Sequence, residues 1–112
     1  MTRQDKDLYL IKPQGTDKVY GGQSDNAQKR FRQHSRHSSN SAIRELSRDY
    51  SLELKVVARV PCNTRDDVKY AEARLLQSIP QEQRLNVQMP VYNLARVVNK
   101  LAIDAAIPTP VV

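Results

Sequence analysis

Two short runs of aliphatic and aromatic residues open the chain, at 8–12 and 18–22, separated by the turn-like Pro13-Gln14-Gly15-Thr16-Asp17. Apolar runs bounded by Gly, Pro and Asp predict a β-hairpin. The pattern then changes to helical spacing. Ala27 and Phe31 share one face of a segment reaching about His37, with Ser24 or Asp25 placed to accept the free amide hydrogens at its start. The polar break Ser38-Ser39-Asn40-Ser41 leads into a second short helix with apolar points Ile43, Leu46 and Tyr50, capped by Asn40 or Ser41. Leu52, Leu54, Val56, Ala58 and Val60 then alternate with Glu53, Lys55, Val57 and Arg59, the period of a half-buried strand.

Thr64 to Asp67 resembles a capping box, and Val68, Ala71, Leu75, Leu76 and Ile79 recur at helical spacing until Pro80. After a loop through Pro90, Val97, Val98, Leu101, Ala102 and Ala105 predict a last helix over 94–106, followed by a frayed tail at 107–112. The order strand, strand, helix, helix, strand, helix, helix predicts one α+β domain over 1–112. It is a small three-stranded, mainly antiparallel sheet flanked by helices, with an extra helix at the C-terminal end.

A length of 112 residues suits one modest core. The formal charge of +6 favours a polyanionic partner, and the charge is unevenly placed. Between Lys29 and Arg48 six cations face a single acid, Glu45. Cys62 is the only cysteine, which excludes an internal disulfide and fits a reducing compartment. No apolar run approaches membrane-spanning length, so a soluble, intracellular, cytoplasmic protein is expected.

Candidate chemistry gathers around the hairpin. Tyr9 and Tyr20 lie on its two strands, and Arg30 and His34 are four residues apart on the next helix, hence on one face. Two phenols and an Arg/His pair that can meet at one point suit phosphate-ester chemistry. Glu72 lies beside the apolar stripe of its helix, close to the sheet. A single carboxylate can hold one hydrated Mg²⁺ or Mn²⁺, because such ions keep several waters and share ligands with the phosphate. There is no His/Cys cluster at zinc spacing, no phosphate-cradling Gly-rich loop ending in Lys-Ser/Thr, and no Ser/His/Asp set. Blander roles exist for each residue: strand packing for the tyrosines, a solvated face for Arg30 and His34, and an ion pair with Arg65, Lys69 or Arg74 for Glu72. Asn93 can simply cap the last helix.

In this order the residues resemble the GIY-YIG nucleases over about 7–94. The two strand motifs look like Asp7-Leu8-Tyr9 and Tyr20-Gly21-Gly22, the helix Arg and His like Arg30 and His34. The metal-binding Glu looks like Glu72 in Glu72-Ala73-Arg74-Leu75-Leu76, and the closing Tyr-Asn like Tyr92-Asn93. Asp7 stands where the family has its first Gly, Gly21 where it has a central Ile, and Asn40 where some members carry a further His, with His37 displaced from it.

The resemblance implies a metal-dependent DNA endonuclease that leaves 5′-phosphate and 3′-hydroxyl ends. Glu72 would hold Mg²⁺ or Mn²⁺, and a tyrosine would serve as general base, with Tyr9 favoured and Tyr20 positioning water or phosphate. Arg30 would neutralise the equatorial oxygens, His34 orient the water or relay a proton, and Asn93 complete the site. A phenol titrates near ~10, so bringing it to about 7 takes roughly 4 kcal/mol of preferential phenolate stabilisation. Gly22, Lys29, Arg32, Arg36 and Arg44 are the expected DNA contacts. Arg32 and Arg36 lie off the Arg30/His34 face and so suit flanking phosphates. With no zinc finger, helix-turn-helix or long linker, specificity would be low, structural, or supplied by a dimer mate or partner protein. The alternatives are a catalytically weak or inactive nucleic-acid-binding module of the same fold, and a small basic interaction protein.

Overall fold

The computed structural model describes residues 4–37 and 40–112, with 35–37 described by backbone alone. Strands β1 (Gln4–Pro13), β2 (Tyr20–Ser24) and β3 (Leu52–Cys62) form one antiparallel sheet in the order β2-β1-β3. Helices α1 (Ala27–His37) and α2 (Ser41–Asp49) lie between β2 and β3 in sequence, and α3 (Arg65–Gln77) and α4 (Lys100–Ala106) follow β3. The fold is therefore the small α+β arrangement that the patterning predicts.

The central strand is covered on both faces. Leu8 and Leu10 enter the larger core with Leu75, Leu76 and Ile103, while Tyr9 and Ile11 enter a smaller one with Ala27, flanked by Tyr20, Phe31 and Leu54. That accounts for the unbroken apolar run Leu8 to Ile11, since each face of a doubly covered strand needs its own apolar residues. Packing of α3 on β2 is close. A Cβ on Gly21 would lie 2.8 Å from Leu76 Cδ2, so glycine fills the position where a larger side chain would push the helix off the sheet.

Strand β3 departs from the simple alternation. Leu8 pairs with Ala58 and Tyr9 with Val56, so Val57 is an extra residue and the ladder shifts there. Before the bulge, Leu52 and Leu54 pack toward α1; after it, Ala58, Val60 and Cys62 join the α3 core together with Val57 itself. Val56 is left 48% exposed. One strand thus serves two layers, where the sequence pattern implied a single buried face.

The start of α1 is also held differently from expectation. Asn26, rather than Ser24 or Asp25, accepts from Lys29 N through its side chain, at 3.1 Å, and its carbonyl receives Arg30 N. Asp7 Oδ2 accepts the amide hydrogen of Ala27 at 3.0 Å, and its other oxygen is paired with Arg59 at 2.7 Å. The residue at the first motif position therefore ties three elements together. Asn40 caps α2 as expected, accepting from Ile43 N at 3.0 Å.

The C-terminal region carries two corrections. The helix expected over 94–106 is a 3₁₀ turn (Leu94–Arg96) and the short α4, broken between them. The buried carboxylate of Asp67 accounts for the break, accepting from Val98 N at 2.8 Å and Asn99 N at 3.2 Å so that α4 starts afresh at that point. The same carboxylate accepts from Asn63 N and Asn99 Nδ2 and completes the capping box with Thr64. Helix α4 presents Ile103 to the core and leaves Leu101 83% exposed, a rotation away from the expected stripe. The tail is docked rather than frayed, with Val111 1% exposed in the larger core. Among the described residues no helix is long and apolar enough to cross a membrane.

Candidate active site

Four elements deliver five of the expected side chains to the β2 side of the sheet. Tyr9 comes from β1, Tyr20 from β2, Arg30 and His34 from α1 and Glu72 from α3. Antiparallel register sets Tyr9 directly across from Gly22, and the phenol ring lies over that glycine. A Cβ on Gly22 would be 2.5 Å from the Tyr9 hydroxyl and 2.6 Å from Cζ. The space left by the missing side chain is thus taken by Tyr9. Gly22, one of the expected DNA contacts, is buried.

His34 is turned inward on α1, one turn after Arg30, and is buried. Its Nε2 is 3.4 Å from Tyr9 Oη, and its ring centroid is 5.0 Å from that of Tyr20 and 6.4 Å from that of Tyr9. Burial and the neighbouring Arg30 cation lower the imidazole pKa to about 4, so His34 is neutral at pH 7. Arg30 is exposed, hydrogen-bonds the Tyr9 hydroxyl and donates from Nη1 to Gln33 Oε1 at 3.1 Å.

The phenols are shifted opposite to the direction that base catalysis was expected to need. Burial pushes Tyr9 well above its ordinary value, reinforced by Tyr20 and weakly by Glu72, against the lowering effect of Arg30. Burial also raises Tyr20, with Glu72 as the next cause. Glu72 is itself raised by burial. Every acid in the cluster is thus held toward its neutral form, and no nearby cation other than Arg30 opposes this.

Glu72 makes no hydrogen bond or ion pair among the described residues, so pairing with Arg65, Lys69 or Arg74 is not its role; Arg74 pairs with Asp104 instead. Among the described residues no group of three or more His, Cys, Asp or Glu could hold a metal ion. A half-buried carboxylate without a partner, beside two phenols that could become anionic, nevertheless fits one hydrated hard dication that keeps most of its waters. Cys62 is unsuited to act as a nucleophile, because burial raises its thiol to about 11.

Asn93 is not brought into this cluster. Its side chain accepts from Ala95 N at 3.1 Å, capping the 3₁₀ turn, and its amide donates to Asp66 Oδ1 at 2.8 Å. Tyr92 packs edge-on against Tyr70, with centroids 5.2 Å apart. Asn86 is the asparagine that touches the strand motif. It accepts from Gly21 N at 2.9 Å and donates to Gly21 O at 2.8 Å, clamping the backbone between Tyr20 and Gly22. Nothing in its local sequence marks it, since its partner is sixty-five positions away.

Of the expected DNA contacts, Lys29 and Arg44 are exposed on α1 and α2, and Arg32 is exposed on α1. The Arg36 side chain lies outside the described residues, as does that of His37. Comparison of this chain with protein-family models, with curated proteins and with solved structures finds no match.

Proposed function

We propose that the chain is a divalent-metal-dependent DNA endonuclease of GIY-YIG type, hydrolysing phosphodiester bonds at the cluster of Tyr9, Tyr20, Arg30, His34 and Glu72. The observation that carries this reading is that these five residues, scattered over more than sixty positions of sequence, approach one another closely enough for their charges and rings to interact.

Mg²⁺ or Mn²⁺ held by Glu72 would supply Lewis-acid neutralisation of the phosphate charge. Tyr20 takes the proton of the attacking water. It is only half-buried, and after burial Glu72 is the strongest influence on its phenol. With a dication held there, the net influence of the Glu72 position on the phenol would change from raising its pKa to lowering it. Tyr9, 1% exposed and bonded to His34 and Arg30, fixes those two groups rather than meeting water. This exchanges the roles expected from sequence. Arg30, exposed on the same helix face, offers its planar fork to the equatorial phosphate oxygens. His34 is neutral at working pH and can accept or relay a proton through Tyr9.

Incubation with supercoiled plasmid in Mg²⁺, Mn²⁺ or EDTA tests the proposal. Nicked circles should form with metal and not with EDTA. The upward-shifted phenols favour the second reading, a nucleic-acid-binding module with weak or no catalysis, and that reading expects plasmid binding without nicking under all three conditions.

A further inference from the structure

A cleft of about 770 Å³ opens beside Glu72, between α3, the far end of β3 and the segment 88–90. We infer that this cleft is a binding track for one unpaired DNA strand continuing from the scissile phosphate; the inference rests on Glu72 being the metal-holding carboxylate of the proposed site. Arg65, Lys69 and Glu72 all line it, and their spacing of four and three residues sets them in a row along one face of α3. At 1.5 Å per residue, Lys69 stands about 4.5 Å and Arg65 about 10.5 Å along the helix axis from Glu72. A strand whose scissile phosphate sits at Glu72 would thus meet a cation at its next phosphate and another beyond.

The charge arrangement supports this assignment. Neither Arg65 nor Lys69 has an ion-pair partner among the described residues, and Glu72 is the sole acid lining the cleft. Lys6, also at the wall, is already paired with Asp25. Val68 and Met89 give the floor an apolar surface for a sugar or base. The volume is that of a pocket for one small ligand, enough for about one or two nucleotides of a single strand and too small for a duplex. The cleft is formed by α3, whereas the basic face expected from sequence is on α1 and α2, so duplex and unpaired strand would be held by different helices.

The test measures binding without cleavage, using the full chain in EDTA and fluorescence anisotropy with labelled dT12 and a labelled 12-base-pair duplex across a salt series. Arg65→Gln/Lys69→Gln should weaken dT12 binding by about 10-fold or more. Two lost single-strand phosphate contacts should also flatten its log-affinity against log-salt slope by about 1.4. Duplex affinity should change by less than about 2-fold. Lys29→Gln/Arg44→Gln should show the reverse pattern, and circular dichroism of both variants should match the parent.

Equal losses on the two probes, unchanged dT12 binding in the cleft variant, or a parent that does not bind dT12 would each overturn the inference. If that happens while the parent nicks plasmid with metal, the cleft assignment fails alone. If the crossed pattern holds while the parent nicks nothing, the nuclease reading fails and the cleft stands as a single-strand-binding site.

Discussion

Tyr9 has its hydroxyl between His34 and Arg30, whereas Tyr20 remains half-buried next to Glu72. If Tyr20 is the base, Tyr20→Phe should lower the single-turnover cleavage rate by about 10²-fold or more. Tyr9→Phe should cost less in rate, because it removes the hydroxyl that holds His34 and Arg30 and leaves the base in place. Rates of both variants across pH 6 to 9 decide the matter, and equal parent-like rates would make both tyrosines packing residues. Glu72→Gln should abolish metal-dependent cleavage while leaving EDTA-state DNA binding within about 2-fold, because a neutral amide is a poor ligand for a hard dication. Undiminished turnover in that variant removes the metal assignment. The candidate residues Tyr9, Tyr20, Arg30, His34 and Glu72 were legible in sequence because each sits in an element with its own local pattern. Asn86 was not, since a clamp on a backbone made from a distant loop leaves no periodicity. Motif order places Asn93 in the site, yet its side chain is engaged in a local cap.

At the scale of elements, α1 divides two kinds of charge. Arg30 reaches inward to Tyr9, while Arg32 projects about 200° around the helix from it. Arg30→Ala should therefore reduce the rate at saturating protein far more than the affinity, and Arg32→Ala should weaken binding with little change in that rate. Single-turnover kinetics and salt-dependent binding on both variants check this, and proportional losses in both would deny α1 a separate catalytic face. The bulge in β3 makes a different prediction. Deleting Val57 leaves Val56 and Ala58 adjacent on alternate faces, which matches the faces of Tyr9 and Leu8, so the register on either side is retained. The deletion should cost only about 1–2 kcal/mol in chemical denaturation, the scale of one half-buried valine. Complete unfolding would mean the bulge is required for the sheet. Sequence could not show the bulge, because Val56 and Val57 are both apolar and either could be the inward one. Nor could it show the break before α4, which is set by Asp67 from some thirty residues away.

For the molecule as a whole, buried His34 links stability to pH. Its folded pKa of about 4 lies below the ordinary 6.5, so the unfolded chain binds the proton more readily. Stability from this group is fully present above pH 6.5 and falls progressively toward pH 4, by up to about 3 kcal/mol. Asp67 acts in the same direction at lower pH. Burial raises its carboxyl, but hydrogen bonds from Asn63, Asn99 and Val98 outweigh that and hold it below its ordinary value. Glu72, raised by burial, opposes both as pH falls through its folded pKa. Thermal melts of parent and His34→Gln between pH 4 and 7 isolate the histidine: the variant should lose much less stability over that interval. Identical pH dependence would show that His34 is not held neutral.

Strand β1 pairs along most of its length with β3, from Gln4 against Cys62 to Pro13 against Leu52, and Leu8 and Leu10 share their core with Val111. The innermost strand and the last piece of its packing are thus about a hundred residues apart in sequence. Its β2 edge can close early as a local hairpin, but its other edge and its larger core wait for β3 and the segment at Val111, so completing the central layer is a largely non-local step.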